Sequence, residues 1–316
     1  MKVIDLINSS KSTAFSFEIL PPLKGNSIQK VYNVIDKLIE FDPKYINITS
    51  HRSEYIYKTL PDGSFQKVNI RKRPGSVAIA SAIQNKYGIT AVPHIICKGF
   101  TKDETEYALI DLNFLGVYDL LLLRGDVKTL EAGQKTDIYH EHATDLQQQV
   151  NDFNKGIAID GSVFEANETP FSYGMACYPE KHEEAPNMES DIFYLKEKVK
   201  NGADYLVTQM FFDNEKYYAF VDRCRAEGIT VPIIPGIKPI VFKNQLTVLP
   251  KIFRSDIPEP FATELRKCKT DDEAKAVGVE WCIQQCKDLI AHGVPSLHFY
   301  TMMASDSVYK VAKEVY

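Results

Sequence analysis

Hydrogen-bonding and ionisable residues recur at one kind of place in this chain, the last residues of short apolar runs. They are Glu18 in "FSFEILPP", Thr49 in "YINITS", His94 in "TAVPHII" and the triplet Arg124–Gly125–Asp126 after "LLLL". Tyr178 in "ACYPE", Gln209 in "VTQMFF" and Tyr300 in "SLHFYTM" continue the pattern. One polar run end means little, but the recurrence is hard to attribute to solvation alone. A carboxyl group at such a place faces water, finds a partner or does chemistry. In "FSFEIL", strand parity puts Phe15, Phe17 and Ile19 on one face and Ser16, Glu18 and Leu20 on the other. The phenylalanines suit packing against helices, which points Glu18 inward. Gly125 lets backbone approach a flat ligand. Gln209 both donates and accepts, which suits an amide-like ring edge such as a pterin.

Each residue also has a plainer reading. Glu18 could be a buried carboxylate paired with an arginine, or a partner for the next helix start. Arg124 could merely neutralise Asp126. His94 could be a satisfied core histidine, and Gln209 an amide tied to backbone. Tyr178, Glu180 and His182 open a loop that either binds a cofactor phosphate or caps the helix beginning near Ser190 or Asp191.

The elements that would position these residues alternate. Strands are expected at Phe15–Leu20, 45–50, 90–96, 117–126, 171–180, 204–212, 231–237 and 296–302. Helices are expected at 27–40, 76–88, 102–116, 137–153, 189–202, 214–228 and 305–316, with a mostly helical stretch over 241–292. "PDG" inside 51–75 marks a turn, as of a small hairpin. About eight βα units predict a parallel sheet closed into a (βα)8 TIM-type barrel, a single domain over 1–316 with a helical insertion before the last strand. Active sites of such barrels gather at the C-terminal strand ends, where the polar residues fall. No GxGxxG follows a strand, which weakens an open dinucleotide-binding sheet.

Composition narrows the classes. The chain has 316 residues, 44% hydrophobic and 25% charged, which is ordinary for a globular protein. A net charge of −5 is no general nucleic-acid footprint. The six cysteines form no CxxC pair, and no histidine stands at zinc-ligand spacing, so buried free thiols and no metal are expected. No apolar run is long enough for a membrane span or signal peptide, so the cytoplasm is the expected location.

Longer motifs carry a resemblance. "FSFEILPP", "LLLRGD", "ACYPEKHEEA", "GADYLVTQMFFDNEKYYAFVDRCRAEGITVPIIPGIKPI" and "HFYTM" resemble, in order, the signatures of the methylenetetrahydrofolate reductase family. The likeness extends over residues 12–316. It implies a (βα)8 barrel binding FAD at its C-terminal face. Reduced nicotinamide, NADH or NADPH, would reduce FAD and leave. Methylenetetrahydrofolate would then take hydride at the same flavin face, giving 5-methyltetrahydrofolate for one-carbon metabolism and methionine synthesis. The resemblance makes Glu18 the general acid, with a raised pKa, and Asp126 a catalytic aspartate near flavin and pterin. It places Gln209 and Tyr300 with Glu18 at the substrate. It places Thr49, His94, Arg124, Gly125, Asp126, Ala143, Tyr178, His182, Ala185, Asp191 and Lys198 at the cofactors. A homo-oligomer is expected, with no nucleic-acid or membrane partner.

The pattern departs in places. Met303 and Ala304 replace an Asn-Arg pair suited to the folate glutamate tail. Thr49–Ser50–His51 lacks a flavin-flanking aromatic. "VFKNQ" displaces another aromatic, for which Phe242 or Lys243 would substitute. No counterpart of the animal regulatory region is present, so no inhibition by S-adenosylmethionine is expected. Two rivals are a flavin- or pterin-binding barrel with altered donor or lost turnover, and a different barrel enzyme such as an aldolase. A Schiff-base aldolase wants a lysine on an inner strand position, and none of the expected strands centres one.

Overall fold

A computed structural model describes all residues except 52–53, 98–99, 126–137 and 303. The chain opens with α1 (Val3–Ser9), β1 (Ala14–Ile19), α2 (Gln29–Leu38) and a short 3-10 turn. Next come β2 (Tyr45–Ile48), β3 (Glu54–Thr59), β4 (Phe65–Ile70), α3 (Ser76–Tyr87), β5 (Thr90–Ile96), α4 (Lys102–Phe114) and β6 (Asp119–Leu123). Then follow α5 (Ala143–Asn154), β7 (Ser172–Cys177), α6 (Met188–Lys200), β8 (Tyr205–Thr208), α7 (Asn214–Ala226), β9 (Ile233–Ile234) and β10 (Gly236–Ile237). The last part comprises α8 (Gln245–Phe253), α9 (Glu259–Lys267), α10 (Asp271–Ala291), β11 (Ser296–Tyr300) and α11 (Ser305–Val315). This βα alternation, with parallel pairing outside one hairpin, is the (βα)8 barrel class expected from the sequence.

The chain divides into two compact units. The first comprises Met1–Ile19, Val34–Asn47 and Ser172–Tyr316. In it β10, β11 and β1 pair in parallel, as do β7, β8 and β9. Strand parity holds: Phe15 is buried, with its ring 5.3 Å from that of Tyr316 and 5.7 Å from that of Phe41. The expected strand 231–237 is interrupted at Pro235, which lacks an N–H for a ladder, although its carbonyl still accepts from His298 N–H at 3.0 Å. The helical insertion packs against the loop after β8 and the segment after β10 in an apolar cluster that includes Met210, Phe212, Ile240, Leu249 and Phe261. Trp281 stacks on Phe261 at 4.5 Å and donates its indole N–H to the Phe212 carbonyl at 3.1 Å. A Cβ on Gly278 would sit 2.0 Å from the Ile240 carbonyl oxygen, so α10 lies directly on the chain that follows β10.

The second unit comprises Leu20–Asn33 and Ile48–Phe171. Here β5 pairs in parallel with β6, and β3 with β4 antiparallel. The hairpin turns at Pro61–Gly63, where Asp62 Oδ1 accepts from Ser64 N–H at 2.9 Å. Helix α4 begins with a capping box in which Thr101 and Glu104 satisfy each other's backbone N–H.

Several strands are shorter than expected, as β8 ends at Thr208 rather than 212, and two helices differ as well. Helix α5 begins at Ala143 rather than near 137, because Asp145 accepts from the His142 N–H at 2.9 Å and starts the helix there. Helix α1 went unassigned from sequence: a helix of seven residues with only Val3 and Ile7 buried shows little periodicity.

Candidate active site

The first unit builds its site in layers. The register pairs Ser16 with His298 and Glu18 with Tyr300, and aligns Gly236 with His298. In the lower layer Ser16 Oγ lies 3.0 Å from His298 Nδ1, and Tyr45 stacks parallel to the imidazole. Burial pushes His298 down to about 3, so this ring is neutral packing rather than an acid.

One rung up stands Glu18, half-buried at the end of β1. Its backbone carbonyl accepts from Thr301 Oγ1 at 2.5 Å, which ties the strand end down. Burial pushes its carboxyl up to about 8, against a smaller opposing pull from the Lys238 ammonium. Among the described residues the nearby cation is a lysine, where the plainer sequence reading named an arginine. Lys238 is only 5% exposed and follows β10 directly. Burial lowers its pKa, and Glu18 partly restores it.

Tyr300 completes this rung. Its hydroxyl donates to the Thr208 carbonyl at 2.6 Å, linking the ends of β11 and β8. The ring lies over Gly236, where a Cβ would come within 2.5 Å of it. Burial, then the Glu18 charge, pushes the phenol well above its ordinary range, so Tyr300 stays neutral. Gln209 follows β8, half-buried, and its Oε1 accepts from Met210 N–H at 2.9 Å. One end of the amide is thus tied to backbone, as the plainer reading held.

The loop after β7 gathers the next expected residues. Tyr178 and His182 pack edge to face at 4.7 Å. Asp191 accepts from the His182 backbone N–H at 2.8 Å, and Glu184 N–H reaches His182 Nδ1 at 3.2 Å. The cap of α6 is Asn187, accepting from Ser190 N–H at 2.8 Å, so Asp191 is left to shape the loop. Lys198 donates to the Ala176 carbonyl at 3.1 Å, and the Ala185 carbonyl accepts from Lys181 Nζ at 2.5 Å. Glu180 bonds Lys216 at 2.6 Å and accepts from Asp256 N–H at 3.1 Å.

The second unit holds the other expected positions. Thr49 Oγ1 lies 3.1 Å from His51 Nε2. His94 is buried, and its carbonyl accepts from the hydroxyls of Ser50 and Ser76. Arg124 and Gly125 follow β6, and Gly125 has φ +83°, a conformation that favours glycine. Ala143 is the first residue of α5. Asp126 lies outside the described residues, as does Met303.

Among the described residues no group of three or more His, Cys, Asp or Glu side chains is arranged to hold a metal. No described helix is long and apolar enough to cross a membrane. All six cysteines are free and buried.

A family model, "Methylenetetrahydrofolate reductase", matches residues 2–316. The chain belongs to the methylenetetrahydrofolate reductase family. A relative from Escherichia coli K12, named 5,10-methylenetetrahydrofolate reductase, is 30% identical over 94% of this chain and 88% of its own length. One from Caenorhabditis elegans, named probable methylenetetrahydrofolate reductase (NADPH), is 30% identical over 99% of this chain and 43% of its own. One from Arabidopsis thaliana, named for NADH, is 30% identical and matched over 49% of its length. The chain thus spans about half the length of the eukaryotic relatives it matches. A solved Clostridium thermocellum protein, described as binding two copies of 5-methyl-5,6,7,8-tetrahydrofolic acid, shares the fold at TM-score 0.55 and 14% identity over 98% of both chains.

Sequence reasoning missed Lys238 and Gly236. Their signal was present in "IIPGIKPI", where a lysine stands amid apolar residues and proline. Counting strand ends placed β10's last residue at Ile237, one short of the charge.

Proposed function

We propose that this chain reduces 5,10-methylenetetrahydrofolate to 5-methyltetrahydrofolate at the expense of NADH or NADPH, with FAD as carrier. The observation that carries the reading is Glu18, a half-buried carboxyl whose pKa is pushed up to about 8 at the end of β1. Opening the substrate's five-membered ring requires that N10 leave as a protonated amine. An acid that keeps its proton at neutral pH supplies it. The C–N bond breaks toward N10, Glu18 becomes a carboxylate, and the N5 iminium accepts hydride.

The residues present fit FAD. Lys198 and His182 offer donors for phosphate or ribitol oxygens on the first unit. On the second unit the family pattern assigns Thr49, His94, Arg124, Gly125 and Ala143 to the cofactors, and Gly125, at φ +83°, has no side chain to keep a flat ring from its backbone. Asp126 keeps its assignment beside the flavin and pterin. When bound, FAD supplies the two-electron relay between nicotinamide and folate. Gln209, with Oε1 tied to Met210, has its amide NH₂ to offer a pterin or carboxamide acceptor. Tyr300, locked to Thr208, walls the site beside Glu18.

The relatives' names divide between NADH and NADPH, and no ribose-reading residue is identifiable here, so both donors stay within the proposal. The reading includes alternate use of one flavin face by the two substrates, one catalytic domain over 1–316, a cytoplasmic homo-oligomer and a role in methionine synthesis. Anaerobic stopped-flow tests it. Flavin-loaded protein should bleach with NADH or NADPH and recolour with methylenetetrahydrofolate. Bleaching without recolouring would leave a flavin-binding barrel lacking the folate reaction.

A further inference from the structure

The Lys238 side chain has no place in the reaction as described, yet it lies buried beside its acid. A lysine 5% exposed is uncommon without a partner. Among the described residues its Nζ makes no hydrogen bond or ion pair, and the carboxylate whose charge reaches it is that of Glu18. The fold explains how it is held. Pro235 and Pro239 flank the segment, and α10 presses on Ile240 through Gly278, with Cys282 one turn further along. The register explains its neighbours. Gly236 aligns with His298 and Ile237 with Phe299, so Lys238 continues to the rung of Tyr300 and Glu18. Gly236 turns its missing side chain toward the Tyr300 ring, and Lys238 lies two residues on, at the same parity.

We propose that Lys238 is a positioning residue for Glu18, whose ammonium, offset from the carboxyl group, stabilises the carboxylate left when its proton goes to the substrate. The inference rests on Glu18 being the acid of the proposed reaction. Among the described residues of the first unit, Lys238 after β10 and Tyr300 on β11 act on this carboxyl, with Tyr45 and His298 in the layer beneath. Tyr300 is neutral because its phenol is pushed well above its ordinary range, His298 is neutral because burial lowers it to about 3, and burial raises Tyr45 to about 12. Lys238 is therefore the one cation of this layer among the described residues. The step balances: Glu18 loses one proton to N10, the C–N bonding pair stays with that nitrogen, and Lys238 keeps its protons throughout. A lysine in direct contact would hold Glu18 ionised and end its use as an acid. One offset from it eases proton release without preventing reprotonation.

The test needs neither folate nor nicotinamide. The Glu18 carboxyl is titrated by carbon NMR in protein labelled at glutamate Cδ, with Glu18→Gln identifying the resonance. Lys238→Met should move the midpoint upward by roughly one pH unit or more, and Lys238→Arg should restore it. In parallel, the Lys238 amine titration should fall in Glu18→Gln, a readout that needs no Lys238 variant. The pH limb of folate reduction should move with the carboxyl. An unmoved Glu18 midpoint in Lys238→Met, or a Lys238 amine indifferent to Glu18→Gln, would overturn the proposal. Coupled titrations in a protein that never reduces folate would leave the pair standing and remove the function proposed above.

Discussion

Two glutamates of the first unit, Glu18 and Glu180, each have a lysine nearby and a pKa raised by burial. They are otherwise opposites. Glu180 bonds Lys216 at 2.6 Å and accepts from the Asp256 N–H, and Lys216 also pairs with Asp256. Its lone pairs are spent on holding the β7 loop to the segment before α9. Glu18 has its lysine offset on the same rung, and that cation only opposes a larger burial effect. Contact makes a carboxylate into a strut, while separation with burial leaves an acid with a proton to give. Proximity of opposite charges alone does not distinguish the two; direct contact with the lysine, made by Glu180, does.

The largest expected difference is catalytic. Glu18→Gln should slow flavin reoxidation by methylenetetrahydrofolate by roughly 100- to 10,000-fold and leave reduction by nicotinamide near its wild-type rate. Glu180→Gln should leave the folate step within a few-fold. Equal losses in both variants would dissolve the comparison. Next is the pH dependence of that step. The folate half-reaction should decline as pH rises through about 8, where Glu18 loses its proton, and Glu180→Gln should not move this limb.

Stability should respond more modestly. Native Glu18 binds its proton up to about 8, against 4.5 for an ordinary glutamate. Its contribution is therefore fully present below about 4.5 and lost as pH rises through about 8. Urea melts across that range should show a falling limb in wild type that Glu18→Gln flattens. The smallest effect belongs to the strut. Lys216→Met should cost about 1 kcal/mol or less, because Lys216 and Asp256 are partly exposed.

The same contrast explains what the sequence revealed. Alternating apolar runs and helices were legible because burial imposes their periods, and parity in "FSFEIL" set Glu18 opposite the buried Phe15 and Phe17. The hairpin at Pro61–Gly63 was legible from its turn chemistry. Lys238 was not, because its importance comes from alignment with a strand some 60 residues away in sequence and from a helix pressing on Ile240. Nor was the division of labour between Glu18 and Glu180. Each is a glutamate near the end of an apolar run, and the direct lysine contact of Glu180 is seen only in the fold.

The proposed reaction requires that Glu18 carry a proton at neutral pH. Infrared difference spectra between wild type and Glu18→Gln, recorded across pH, read that proton directly. A protonated carboxyl band should be present at pH 7 and disappear around pH 8. A carboxylate band already complete at pH 6 would contradict it.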